Sequence, residues 1–186
     1  TNYMRRSLPE TKVFKQKLNF ELSGKSEVII KYSGCFENNG SHFLDLMSYF
    51  YGPPIKVLQA SSEMTLHSLF KIRATLAHHN AICTYVPLPS NSVVEHEVEV
   101  ITDSFKLIIG RAGRDIKIYD KLEDPDFLGQ YEYGKLSLLT SNYLNFMQYV
   151  YDDIYLGLSS GKLPANLCDI ETSLRNTKLI QELKSL

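Results

Sequence analysis

The feature that most constrains the fold is a long stretch, residues 55–133, in which apolar and polar side chains alternate with a period of two. Such alternation is typical of β-strands that bury one face only. Short polar segments at 78–80 and 102–104 predict hairpin turns, so most strands should be antiparallel. The predicted strands are listed by residue number: 27–33, 55–61, 69–76, 81–87, 93–101, 105–109 and 116–119.

Helical periodicity flanks this stretch on both sides. The first predicted helix starts at Ser7 with Pro9 in its first turn and Glu10 as a capping partner, and it extends to Leu22. Further helices are predicted at 40–51, 138–158 and 169–183. A sheet with one apolar and one polar face needs helices on one side only. We therefore predict a single α+β domain, residues 1–186, in which helices cover one face of an open, mostly antiparallel sheet.

Composition excludes several classes of function. The chain has 186 residues and a formal net charge of −1, which gives no bulk attraction to nucleic acid or to an anionic membrane. No apolar run approaches the roughly 20 residues that span a bilayer, and the first residues do not resemble a signal peptide. The 3 cysteines are widely separated, which indicates free thiols and a cytoplasmic location.

Common catalytic motifs are absent from the sequence. There is no G-x-G-x-x-G and no G-x-x-x-x-G-K-[ST], so the chain contains no dinucleotide-binding unit of its own. No histidine or cysteine has metal-ligand spacing, and no metal site is predicted. The pair His78–His79 is interpreted as a solvated turn, and Asp152–Asp153 as a solvated pair on an aromatic helix whose rings form core. His96 faces the same way as neighbouring valines, and it either packs in the core or lines a pocket.

One segment, residues 34–46, combines groups that could do chemistry. A flexible polar run ends at a predicted helix start, with His42 in the first turn and Asp45 three residues later. The positive end of a helix dipole disfavours imidazolium and so lowers the pKa of a histidine there. Neutral imidazole can accept or relay a proton at pH 7. The alternative is that His42 only packs or caps the helix.

Three stretches of the chain resemble the Gfo/Idh/MocA family, the relatives of glucose-fructose oxidoreductase and inositol dehydrogenase. The opening NYMRRSLPETKVFKQKL is similar to the family's Y-x-R-R-F-x-P segment. The segment NNGSHFLDLMSYFYGPPIKV is similar to D-x-G-x-H-x-x-D-x-x-x-x-x-x-G followed by a strand. The tail, beginning LNFMQYVYDDIY, is similar to the closing F-x-x-x-I-x-x-G-x-x-P and its last helix.

The resemblance implies the second domain of an NAD(P)-dependent oxidoreductase, the part that binds substrate and forms dimers. In the family a Rossmann domain precedes it and binds the cofactor, NAD or NADP, so the chain alone should be inactive. Hydride passes between nicotinamide and a carbon of a sugar, polyol or nucleotide sugar. A homodimer or higher homo-oligomer is expected through the open sheet face, with residues 71–75 and 95–101 on it.

The same resemblance assigns roles to individual residues. The catalytic histidine of the family corresponds to His42. Its aspartate corresponds to Asn38, which can hydrogen-bond a substrate hydroxyl but cannot take a proton. Of the family's arginine pair, Arg6 is expected to bind substrate and Arg5 the cofactor. His96 is a further candidate for substrate binding.

Asp45 is expected to fix the helix beneath the site.

Two other functions stay open beside the dehydrogenase. One is a non-catalytic binding or assembly module, which Asn38 favours. The other is NAD-dependent glycoside or lyase chemistry.

Overall fold

The computed structural model describes residues 4–20, 24–65, 68–89 and 94–186. Within these ranges a 3-10 helix, Met4–Ser7, is followed by α1, Pro9–Phe20. The other α-helices are α2, Ser41–Tyr51, α3, Phe146–Ser160, and α4, Ile170–Lys184. The eight described strands are β1, Ser26–Tyr32, β2, Lys56–Met64, β3, Phe70–Ala77, β4, Ala81–Pro87, β5, His96–Ile101, β6, Phe105–Gly110, β7, Asp115–Glu123, and β8, Tyr131–Leu139.

The strands form one open sheet in the order β2-β3-β4-β1-β5-β6-β7-β8. Strand β1 lies in the middle, parallel to β4 and antiparallel to β5, and each remaining pair is antiparallel. The alternation predicted from the sequence is present: in β5, His96, Val98 and Val100 are buried, and the residues between them are less so. The predicted α+β fold with an open, mostly antiparallel sheet is therefore confirmed.

Helices α1, α2 and α4 pack on the buried face of the sheet. Helix α2 is apolar nearly all round, and almost every residue in it is buried, as expected of a helix enclosed between a sheet and other helices. Its partners in the core include Phe14 and Leu18 of α1 and Ile180 and Leu183 of α4. None of the helices in the described ranges has the length and apolar character needed to cross a bilayer.

The start of one predicted helix is wrong, and strand β8 was not predicted. The helix predicted at 138–158 begins only at Phe146, because Leu138 and Leu139 belong to β8. Leucine suits both helix and strand, and here pairing decides, since Leu139 lies opposite Ile116 of β7. The predicted helix end at Leu22 and strand start at Val93 lie outside the described residues.

Two polar groups that were predicted to be solvated are buried instead. His78 is only 4% exposed, and its Nδ1 lies 2.7 Å from the carbonyl oxygen of Gly52. Asp153 is 6% exposed and accepts a hydrogen bond from Lys12 of α1. Conversely, Tyr151 and Tyr155 of α3, predicted as core, are exposed. The period of α3 is helical, but the sequence alone does not show which face meets the protein.

A buried ion pair joins the start of the chain to α2 and α4. Arg6 donates from Nε to Asp45 Oδ2 at 2.6 Å, and its Nη2 contacts Asp45 Oδ1. Asn176 of α4 contacts the same carboxylate at 3.5 Å, and the ring of Tyr49 lies 5.3 Å from the guanidinium carbon. Arg6, Asp45 and Asn176 are each almost fully buried. Two partners and an aromatic face thus satisfy charges that would otherwise be costly to bury.

We predict that Arg6→Met lowers the free energy of unfolding by about 3–5 kcal/mol, because it leaves the carboxylate of Asp45 buried without its cation. Urea denaturation measures the change. The control is Arg111→Gln, which removes an exposed ion pair with Asp115 and should cost no more than about 1 kcal/mol. The prediction is wrong if the two variants are equally stable.

Candidate functional site

A cavity of about 510 Å³ opens where the start of the chain, α2, β5 and the β6–β7 connection meet. This volume is within the range typical of small-molecule sites. The cavity is lined by Met4, Arg5, Asn39, His42, Val94, His96, Arg111, Ala112, Arg114 and Tyr143. Three residues predicted for the site, His42, His96 and Arg5, therefore line one cavity.

The position of His42 depends on the turn that precedes α2. Residues Phe36–Gly40 form one turn of π-helix that runs directly into α2, so the chain is already helical before His42. Phe36 is fully buried between the rings of Tyr32 and Tyr85, and a Cβ on Gly40 would overlap the Phe36 ring. Glycine is therefore required at position 40 for this turn to pack.

The pKa of His42 is lowered to about 4, and the cause differs from the one expected. Burial contributes most, followed by the positive charge of Arg5 and the neighbouring His96. The helix dipole is a poor explanation, because the unpaired N–H groups lie a turn earlier, at the start of the π-helical turn. His42 is thus neutral at pH 7, as predicted, through burial and a nearby cation.

His96 is held by the backbone at the start of β5, an interior strand of the sheet. It is 7% exposed, and its Nδ1 accepts a hydrogen bond of 3.4 Å from the backbone N–H of Ser33. An accepting Nδ1 places the ring proton on Nε2. The pKa of His96 is lowered by burial and then by Arg5. Both alternatives for this residue hold at once: it packs on Phe43 at 5.8 Å between ring centroids, and it lines the cavity.

Arg5 supplies the positive charge that both histidines feel. Its guanidinium carbon lies 4.7 Å from the centroid of the Phe43 ring, which is a cation–π distance. Its Nε is buried and has no hydrogen-bond partner among the described residues. A buried donor without a partner is costly, and it leaves the Nε–H of Arg5 with a hydrogen bond to make.

The opposite wall of the cavity is the turn between β6 and β7, residues 111–114. Arg111, Ala112 and Gly113 have φ values of 47°, 62° and 111°, so two residues that carry a Cβ adopt left-handed backbone. Each such residue costs of order 1–3 kcal/mol and persists only where its surroundings impose it. This turn, hereafter the 111–114 turn, brings two arginines to the cavity.

Contacts from α1 and the segment before α3 impose the shape of the 111–114 turn. The hydroxyl of Ser141 donates to the carbonyl of Gly113, and a Cβ on Gly113 would lie 3.2 Å from the ring of Tyr143. Glu10 in turn accepts a hydrogen bond of 2.9 Å from the backbone N–H of Asn142. The carboxylate predicted to cap α1 thus braces this wall of the cavity instead.

The other predicted site residues lie elsewhere. Arg6 and Asp45 lie behind the cavity in their ion pair and do not line it. Asn38 is exposed and is not among the lining residues, whereas its neighbour Asn39 lines the cavity and donates to the carbonyl of Ser33 at 2.7 Å. The roles predicted for Arg6 and Asn38 in substrate binding stay predictions.

Sequence reasoning missed Asn39, Arg111, Arg114 and Tyr143. For the arginines a signal was present: the tetrapeptide RAGR places two cations and a glycine in a connection between two strands. A glycine there allows a left-handed turn. Tyr143 belongs to the aromatic run 142–155, whose rings were predicted to form core rather than to contact a ligand, and the fold brings it to the cavity.

Solved structures of other proteins share this fold. KijD10, a 3-ketoreductase from Actinomadura kijaniata solved with TDP-benzene and NADP, has a TM-score of 0.71 at 13% identity; the match covers 100% of this chain and 60% of that one. UDP-N-acetylglucosamine 3-dehydrogenase GnnA from Acidithiobacillus ferrooxidans has a TM-score of 0.70 at 11% identity; the match covers 98% of this chain and 60% of that one. A super-repressor mutant of Gal80p from Saccharomyces cerevisiae has a TM-score of 0.67 at 10% identity; the match covers 98% of this chain and 61% of that one.

These similarities define a class of fold. No protein-family model and no curated protein matches the sequence itself. The chain spans about 60% of the length of the structures it matches, and at these identities the likeness establishes the fold alone. The chain thus has the fold of a domain that occurs in a 3-ketoreductase, in a UDP-N-acetylglucosamine dehydrogenase and in Gal80p. The resemblance to the Gfo/Idh/MocA family is supported at the level of the fold.

We predict that Arg5→Gln raises the pKa of both His42 and His96. A nearby cation disfavours imidazolium, so its removal shifts the pKa of His42 upward from about 4, although burial, the larger cause, keeps it below 6.5. An NMR pH titration of the imidazole protons measures both values. Arg175→Gln, on the exposed side of α4, is the control that should leave them unchanged. Unchanged values in Arg5→Gln would contradict the assigned cause.

Proposed function

We propose that this chain is the substrate-binding and dimerisation domain of an NAD(P)-dependent oxidoreductase that acts on a sugar, polyol or nucleotide sugar. The observation that carries the proposal is the cavity, in which two uncharged imidazoles and an arginine converge. The fold comparisons support it, because two of the compared proteins are a dehydrogenase and a ketoreductase. The proposal includes a separate cofactor domain in the same protein, placed before residue 1.

The chain's own groups suit the proton side of such a reaction. A bound nicotinamide would exchange a hydride with the substrate carbon. His42, neutral at pH 7, can accept a hydrogen bond from the reacting hydroxyl and hold its proton. Because Nδ1 of His42 is buried, Nε2 is the atom that would meet the substrate. His96 carries its ring proton on Nε2 and can donate to a second substrate oxygen.

The described residues fit a dinucleotide only in part. No glycine-rich turn at a helix start is present to hold a pyrophosphate, since the sequence lacks that motif. Arg5 does fit a contact with the cofactor, because its buried Nε has a hydrogen bond left to make. Most of the binding of NAD or NADP would therefore belong to the other domain, with Arg5 at its edge.

A second candidate function is a binding or assembly module without catalysis. Asparagine at position 38 favours it, because an amide cannot take a proton where the family has an aspartate. Gal80p, named as a super-repressor mutant, shares the fold as well. The sequence that precedes residue 1 in the gene discriminates the two. A glycine-rich βαβ unit there supports the oxidoreductase, and a chain without one supports the module.

We predict that His42→Ala lowers kcat by a factor of about 10² to 10⁴ in the protein that carries this chain with its cofactor domain, the usual loss when general acid–base help is removed. Steady-state absorbance of the reduced nicotinamide measures the rate. The matched control is His79→Ala, an exposed histidine remote from the cavity, which should keep full activity. Equal activity of the two variants would end the catalytic role of His42.

The outer face of the sheet has the composition of a contact surface. Lysines and glutamates of neighbouring strands pair across it, with Lys31 Nζ 2.7 Å from Glu97 Oε1 and Lys106 bonded to Glu99. Paired charges are cheaper to cover than single ones, so this face can pack against a second copy. Aliphatic side chains lie on the same face, at Ile29, Ile101 and Ile108.

We predict a dimer formed by two such faces, burying more than roughly 1,000 Å². Light scattering at micromolar concentration should give twice the mass of the chain. Ile101→Glu, which adds an unpaired charge to the face, should yield monomers. Ile154→Glu on α3, away from the sheet, should not. A wild-type chain that is monomeric at these concentrations would overturn the prediction.

A further inference from the structure

The cavity carries an excess of positive charge. Arg5, Arg111 and Arg114 line it, and no carboxylate does so among the described residues. Arg111 makes an exposed ion pair with Asp115, whose carboxylate lies 3.3 Å away. Exposed pairs are weak and open readily to a competing anion. Three guanidinium groups against one carboxylate leave an excess of two positive charges.

The two arginines of the 111–114 turn make few interactions with the rest of the protein, so their N–H groups are available to a ligand. Within the described ranges, the side chain of Arg111 makes only its exposed ion pair with Asp115. Arg114 lies against the ring of Tyr143, at 5.8 Å from guanidinium carbon to centroid, and makes no ion pair with the described residues. Stacking on an aromatic ring orients a guanidinium while leaving its N–H groups available. The backbone of the turn is strained and is braced by Ser141, so it is a fixed feature of the site.

The lowered pKa values of His42 and His96 agree with a positively charged cavity. Arg5 lowers the pKa of both His42 and His96, and a pKa of about 4 leaves His42 a weak base at pH 7. An anion bound in the same cavity would offset that charge and raise the pKa of His42 towards the value at which a base works best. A negatively charged ligand would therefore make His42 a better base than a neutral ligand would.

Phosphate matches these groups in geometry and in charge. Guanidinium presents a planar set of N–H donors that fits phosphate oxygens two at a time. A sugar joined through a diphosphate carries two negative charges, equal to the excess in the cavity. A free sugar or polyol offers nothing to compensate it.

We propose that the 111–114 turn binds a phosphate group of the substrate, so that the site selects nucleotide-linked or phosphorylated sugars over free ones. This inference deepens the proposed function and rests on it for the reaction itself. The binding step does not rest on it, because the cavity is built wholly from this chain.

Isothermal titration of the 186-residue chain with UDP-glucose, inorganic phosphate, NADP, glucuronate and glucose tests the proposal. UDP-glucose should bind, and glucose should not. Arg111→Gln and Arg114→Gln should each weaken UDP-glucose binding by about 10- to 100-fold, the usual loss for a charged hydrogen bond. Arg175→Gln is the matched control and should bind like the wild type. The NMR signals of His42 should report a higher pKa once UDP-glucose is bound.

The other ligands separate the sources of the anion. Tighter binding of NADP than of UDP-glucose through the same arginines would assign the phosphate to the cofactor and overturn the proposal. Tighter binding of glucuronate would assign a carboxylate and overturn it too, as would no binding at all. If UDP-glucose binds but the protein with its cofactor domain transfers no hydride, the proposed function fails alone. If that protein oxidises free sugars while the chain ignores phosphates, this inference fails alone.

Discussion

The ion pair of Arg6 and Asp45 fixes the geometry on which the rest of the molecule depends. It ties the first turn of the chain to the middle of α2, and Asn176 ties the same carboxylate to α4. Arg5 is the next residue back, so the buried pair also determines where the cation of the cavity stands. Of the two adjacent arginines, Arg6 therefore stabilises the structure and Arg5 lines the cavity.

The sheet was predictable from the sequence because its strands bury alternate residues, and that pattern is local. Strand β8 was not, since its leucines suit a helix equally well and only β7 beside it decides. The same limit applies to α3. Its period is evident in the sequence, but only the fold shows that the side with Val150 and Asp153 meets the protein, where Lys12 of α1 contacts Asp153.

For the cavity, the sequence indicated three of the lining residues. His42 was found because its segment is unusual, and His96 and Arg5 were found by its strand pattern and by resemblance. The 111–114 turn lies far from that segment along the chain, and only the fold brings it opposite His42. The sequence also does not show which of Asn38 and Asn39 faces the cavity. That choice depends on the π-helical turn, whose shape follows from the packing of Phe36.

The central position of β1 has a consequence for how the chain reaches this structure. Both neighbours of β1 come from much later in the sequence, since Ser26 pairs with Ala81 and Tyr32 with His96. During synthesis, α1, β1 and the apolar α2 emerge before any strand that can cover them. Closing such distant pairs is entropically expensive and slow, and exposed apolar segments associate while they wait. Yield in the cell should thus depend on chaperones that hold the first third of the chain until β4 and β5 have left the ribosome.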